Sequence, residues 1–263
     1  MNFVSAIGRG TVEGVTRWYG NLAFLGEAVV SALGVLVRPR SFRFGDFALA
    51  FQRASWEGLP ITTGIGFLLG LILAFESAAA MEMFGVKVFV ADLLSIALFR
   101  ELGPLVTAII LAGRSGSAFA AEIGTMKVNE ELDALSTMGL PPVRFLVLPR
   151  VVAAVLAMPV LTVFAELAGL LGGVLVLELM GVPSSVYWRH VSSTTTVFMI
   201  VLGLAKGAFF GLLVGVVGCC AGMRTKSTAD GVGVAATSAV VGSIVAIAVS
   251  DGILAVLCYV WKI

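Results

Sequence analysis

Charge is what this chain has least of. Only 13% of its 263 residues are Asp, Glu, Lys or Arg, while 59% are hydrophobic and the mean hydropathy is +1.06. A soluble domain carries about 25% charged residues, so an ordinary soluble fold is excluded in favour of an integral membrane protein. The apolar runs are continuous rather than alternating, which excludes a barrel and leaves helices. Histidine is nearly absent: His190 is alone, and no Ser/His/Asp or zinc arrangement can be assembled around it. The cysteines, Cys219, Cys220 and Cys258, are too few for a metal site. They fall at opposite ends of neighbouring antiparallel runs, so no disulfide is expected. There is no G-x-x-x-x-G-K-[ST], since Lys226-Ser227 lacks the upstream glycines. Gly231-Val-Gly233 opens an apolar run instead of following a strand. A formal net charge of +1 carries no signature of nucleic-acid binding. The first 20 residues lack an apolar core segment, so no cleaved signal peptide is expected.

Five apolar windows of about 20 residues or more are present, each long enough to cross a bilayer. They run from about Leu59 to Met83, Val88 to Ala112, Val151 to Met180, Thr195 to Gly222 and Val234 to Trp261. Residues 57–263 thus read as one transmembrane domain. Residues 1–56 read as a separate interfacial region. From Val12 to Leu36 its apolar residues recur near the 3.6-residue period, interrupted by Arg9, Glu13, Arg17 and Glu27. This fits an amphipathic helix lying in the interface with Trp18 and Tyr19 at headgroup depth, or a soluble helix packed on a partner. Arg9, Arg17, Arg38, Arg40, Arg43, Arg53, Arg114, Lys127, Arg144, Arg150, Arg224 and Lys226 all fall on the amino-terminal side, against Lys87, Arg189 and Lys262 on the other. The positive-inside rule then places the amino terminus in the cytoplasm and the carboxyl terminus outside. Trp56 on one side, and Tyr187, Trp188, Tyr259 and Trp261 on the other, read as aromatic belts. Gly203, Gly207, Gly211 and Gly215 line one face of span four, and Gly66/Gly70 and Gly169/Gly173 repeat the spacing. Such faces allow close helix approach, either inside one subunit or between two copies. With so few spans and no internal repeat, a homodimer is expected.

Glu76, Arg100, Glu101, Glu166, Lys206 and Asp251 fall within or near the ends of the apolar windows. A charge at mid-bilayer costs about 2.5–3.5 kcal/mol on insertion scales, so each needs a partner or a wet cavity. Adjacent Arg100 and Glu101 point about 100° apart on a helix and need separate partners. Lys206 is a candidate for Glu101, and Glu76 or Glu166 for Arg100. Pro104 removes a backbone donor one turn later and should kink the span. The cluster reads either as an ion-pair lock between helices or as the wall of a polar cavity. Beyond it, Glu122 to Gly139 reads as an acidic amphipathic helix stopped by Gly139 and Pro141-Pro142. It suits docking into a groove on a soluble partner, or it is a solvated surface helix. An intramembrane lipid-modifying enzyme would need a reactive constellation richer than Arg100 with Glu101. A structural scaffold would not need a charged, proline-interrupted span.

The stretches RELGP (Arg100–Pro104), AGRSGSAFAAEIGTMKVNEELDAL (Ala112–Leu135) and Met138-Gly139 resemble the MlaE/YrbE permease family, the membrane subunits of MCE-type ABC lipid transporters. Leu148–Arg150 and Asp230–Gly233 extend the resemblance, which runs from about Arg38 to Ile263. It implies an all-α permease in the bacterial inner membrane, with an amino-terminal interfacial helix, five spans and a coupling helix between spans two and three. It also implies a homodimer bound to a cytoplasmic ABC ATPase, a periplasmic ring of MCE-domain subunits and a small STAS-domain subunit. Phospholipid would be the cargo, moved between inner and outer membranes. ATP would be bound by the partner ATPase, leaving this chain without a cofactor, metal or catalytic residue of its own. The lipid cavity would be built from spans one and two: Leu71, Phe75, Glu76, Ala78, Arg100, Glu101, Leu102 and Pro104, with Lys206. Family members often carry glutamine and tyrosine where Phe75-Glu76-Ser77-Ala78 stands here. Coupling to the ATPase would fall to Glu122, Gly124, Lys127, Glu130, Glu131, Asp133 and Gly139.

Overall fold

A computed structural model of the chain describes residues 26–27 and 43–261. The expected interfacial helix over Val12–Leu36 therefore lies almost wholly outside the described residues. The chain enters through α1 (Phe44–Ser55) and α2 (Leu59–Glu82). One helical rod then runs from Lys87 to Val128, composed of a short 3₁₀ turn, α3 (Val90–Ala97), α4 (Gly103–Leu111) and α5 (Ser117–Val128). Two wide π-type turns, Leu98–Leu102 and Ala112–Gly116, join the last three pieces. The short α6 (Glu131–Thr137) precedes a third wide turn, Val143–Val147, and α7 (Leu148–Leu179). Then come α8 (Ser184–Thr194), α9 (Val197–Met223) and α10 (Ala229–Val260). Among the described residues there is no strand, and five helical stretches are long and apolar enough to cross a membrane. In hydrocarbon the backbone must satisfy its own hydrogen bonds, so continuous apolar runs become helices whatever their propensities.

α7 is the central post. It packs most extensively on α2 and α9, and α1 also leans on it. The glycine faces explain how. A Cβ added to Gly70 would lie 1.9 Å from the carbonyl oxygen of Gly169, and one on Gly66 would lie 2.4 Å from that of Ala165. On α9, Gly211 and Gly215 meet the backbone of Ala154 and Val151 in the same way. Lipid gives no hydrophobic drive for helices to associate, so backbone-to-backbone van der Waals contact takes its place. The glycine stripes are thus used for packing inside one subunit.

The last helix is held differently. Gly231, Ala235, Ala239, Ser243 and Ile247 are buried at steps of four, while Val241, Val245, Val249 and Ile253 lie exposed. α10 therefore touches the bundle along a single stripe.

Two expectations need correcting. Tyr187 is not a belt residue: it is fully buried, and its hydroxyl donates to the Leu170 carbonyl at 3.0 Å. The α8 helix folds back over the bundle and carries the ring inward, where burial pushes the phenol pKa up. Trp188, Tyr259 and Trp261 remain exposed at that end and Trp56 at the other. The segment from Glu122 to Gly139 is not one helix. Glu130 takes a left-handed conformation with φ 61° and separates α5 from α6. Gly139, with φ 74°, closes α6 as expected: its N–H bonds Ser136 and that of Leu140 bonds Leu135, both at 3.0 Å.

Gly70→Val should lower the unfolding midpoint sharply in a thermal shift assay, by about 1–3 kcal/mol or more of stability, because overpacking here pushes two backbones apart. Gly64→Val, two turns earlier with nothing within 4 Å of the new Cβ, should leave it unchanged.

Candidate functional site

Lys206 sits on α9 beside the glycine stripe and is only 4% exposed. Its Nζ lies 2.5 Å from Glu101 Oε2 and 2.7 Å from Asp251 Oδ1. Three spans thus meet at one ammonium group. The local backbone explains the geometry. Pro104 has no N–H, so a regular helix would leave the Arg100 carbonyl without its donor. The Lys206 ammonium donates to that carbonyl at 3.4 Å. The wide turn Leu98–Leu102 absorbs the proline, so the expected interruption takes the form of an extra residue in one turn. Gly203 lets the Phe99 carbonyl oxygen approach to where a Cβ would clash at 2.0 Å. That close approach brings the lysine within reach of the rod.

The residues expected at a cavity wall separate into groups. Arg100, Glu101, Pro104 and Lys206 come together around the wide turn, and Leu102 is half-buried beside them. Glu101 keeps a third of its side chain accessible. On α2, Phe75 and Glu76 are exposed, Leu71 is half-buried, and Ala78 is fully buried in the core with Leu94 and Leu98. Glu166 packs its carboxyl against Gly103 and is 2% exposed. Asp251 belongs to the cluster, a partnership that its place as one intramembrane charge among several does not by itself reveal. Its signal was the step of four from Ile247, which puts it on the buried stripe of α10.

A second charged cluster lies at the basic end of the same rod. Glu122 accepts from Arg53 at 2.8 Å and from Arg150 at 3.0 Å, tying α5 to α1 and α7. Arg114 bonds Glu57 at 2.6 Å and the Arg53 carbonyl at 2.8 Å. Lys127 donates to the Met223 carbonyl at 2.7 Å, satisfying the end of α9 where cations are favoured. Gly124 is buried against Thr225. Glu122, Gly124 and Lys127 therefore bind the bundle together. Glu130, Glu131 and Asp133 face outward with Met138, while Leu132 anchors α6 in the core.

The family model for permease MlaE matches residues 47–257. This chain belongs to the MlaE permease family. A probable ABC transporter permease protein of Rickettsia bellii is 31% identical over 255 residues, 95% of each chain. A permease protein named MlaE, of an intermembrane phospholipid transport system in Haemophilus influenzae, is 31% identical over 92% of this chain and 91% of its own. A probable ABC transporter permease of Synechocystis is 37% identical over 74% of each. The protein is a multi-pass membrane permease subunit of an ABC-type transporter, not an enzyme. The two charged clusters join helices to one another: Lys206 links three spans, and Glu122 ties α5 to α1 and α7.

Lys206→Met should destabilise the permease by about 3 kcal/mol, because it strands carboxylates that were paired. Adding Glu101→Gln and Asp251→Asn should restore most of that loss in a denaturation series. A single variant as stable as the parent would show that the ammonium does not hold the three spans.

Proposed function

We propose that this permease moves phospholipid between the inner and outer membranes as one half of a homodimer. A cytoplasmic ABC ATPase grips α5 and α6, an MCE-domain ring exchanges lipid with the permease on the far side, and a STAS-domain subunit accompanies the ATPase. The observation that carries the reading is that one rod, Lys87–Val128, holds both charged clusters. Glu101 and Glu122 are separated by about 30 Å along it at 1.5 Å per residue, which is the thickness of the hydrocarbon. A push on α5 therefore reaches the Lys206 junction without passing through a loop. The excess of arginine and lysine at the α5 end supports a cytoplasmic amino terminus and a periplasmic carboxyl terminus. Exposed Glu130, Glu131 and Asp133 supply the acidic face that an ATPase groove would read, on a segment whose buried Leu132 anchors it to the bundle. The Haemophilus relative, a permease of an intermembrane phospholipid transport system, supports phospholipid as the cargo. Glu101, a third accessible, stands at the polar end of the lipid path, and Phe75 and Glu76 stand exposed on α2.

Glu101→Ala should impair lipid transport in reconstituted complex while subunits still co-purify; normal transport by that variant would remove Glu101 from the path. Asp133→Cys should form a crosslink to the ATPase in at least one nucleotide state, and no adduct in any state would refute coupling through α6. Intact phospholipid extracted from the purified complex and identified by mass spectrometry is the expected cargo; recovery of a modified product instead would point to an enzyme.

A further inference from the structure

Between α9 and α10, at the basic end, a groove of about 920 Å³ opens on the outside of the bundle. It lies away from the Lys206 junction and away from α6. Its floor and walls are apolar: Leu213, Val217 and Val234 line it. Its rim is polar, with Arg224 and Lys226 from the connection after α9 and Asp230 from the first turn of α10. From Leu213 to Arg224 it follows α9 for about 16 Å at 1.5 Å per residue. That is about half of the 30 Å hydrocarbon thickness, the depth of one leaflet. An apolar trough one leaflet deep, topped by charge at the membrane surface, has the form of a lipid berth.

We infer that this groove binds one aminophospholipid from the leaflet on the basic side, with its phosphate at Arg224 and Lys226, its amine at Asp230 and an acyl chain along Leu213, Val217 and Val234. The charge set decides the occupant. Two cations and one carboxylate complement a phosphate paired with an ammonium. Basic pockets between spans on this side are favourable for lipid headgroups, and the partly positive amino end of α10 adds to the attraction for phosphate. A second copy of the chain, whose own rim carries the same surplus of positive charge, would bring like charges together there. The berth stands outside the proposed transport path, so it is occupied whether or not the cargo reading holds.

The test is native mass spectrometry of the delipidated permease complex titrated with dioleoyl phosphatidylethanolamine. The Arg224→Gln/Lys226→Gln variant should lose one bound lipid per chain, with about thirtyfold weaker binding at that site. Val234→Trp, at a position 66% exposed and able to accept bulk, should abolish the same adduct by filling the trough. Asp230→Asn should remove the preference for phosphatidylethanolamine over phosphatidylglycerol. Unchanged adduct numbers in the first two variants would overturn the inference. So would efficient disulfide formation between two copies of Val234→Cys in membranes, since the groove would then be covered by a neighbouring chain. Transport measured on the same variants reads the cargo proposal separately.

Discussion

A lysine ammonium inside a hydrophobic bundle is stable only with its counter-charges within direct reach, and the middle of this molecule is arranged to meet that demand. Lys206 lies against carboxylates from two other spans and against the carbonyl that Pro104 leaves without a donor. At mid-membrane a stranded charge costs several kcal/mol, comparable to a large part of a domain's net stability. Span positions are therefore coupled through one side chain. Displacing the rod that carries Glu101 would separate opposite charges in a medium that screens them poorly.

The junction exists because glycines allow it. A Cβ at Gly203 would clash with the Phe99 carbonyl oxygen, so the close approach of α9 to the wide turn Leu98–Leu102 depends on that glycine. The same logic builds the post: Gly66 and Gly70 bring α2 onto α7 backbone to backbone. Van der Waals contact fades steeply with distance, so a missing Cβ matters more here than it would in water. At the basic end a different device serves. Glu122, Arg53 and Arg150 clamp three helices where water reaches them, and such partly exposed pairs contribute less energy but fix geometry. The rod between the clusters is held at both ends, by intramembrane charge at one and by surface ion pairs at the other.

Much of this was legible in the residues. Continuous apolar runs give five spans because hydrocarbon leaves the backbone no other partner. The pairing of Lys206 with Glu101 followed from the scarcity of intramembrane charge, since few other partners were on offer. The helix stop at Gly139 followed from glycine's tolerance of positive φ. The acidic stretch misled at Glu130, because a left-handed non-glycine residue has no composition signal. Tyr187 misled for a related reason: an aromatic near a span end looks the same whether its helix lies flat in the interface or folds back onto the bundle.

Sequence alone determined that the chain is helical, that five of its runs are long and apolar enough to cross a membrane and that its intramembrane charges must be paired, because burial in lipid imposes those results on any such pattern. Only the tertiary structure decided that the glycine stripes serve packing within the subunit, that Asp251 completes the Lys206 junction and that Glu122 and Lys127 hold the bundle while Glu131 and Asp133 face out. Those outcomes depend on how helices rotate and cross. Rotation is set by contacts between segments far apart in the chain, which periodicity along a single helix does not encode.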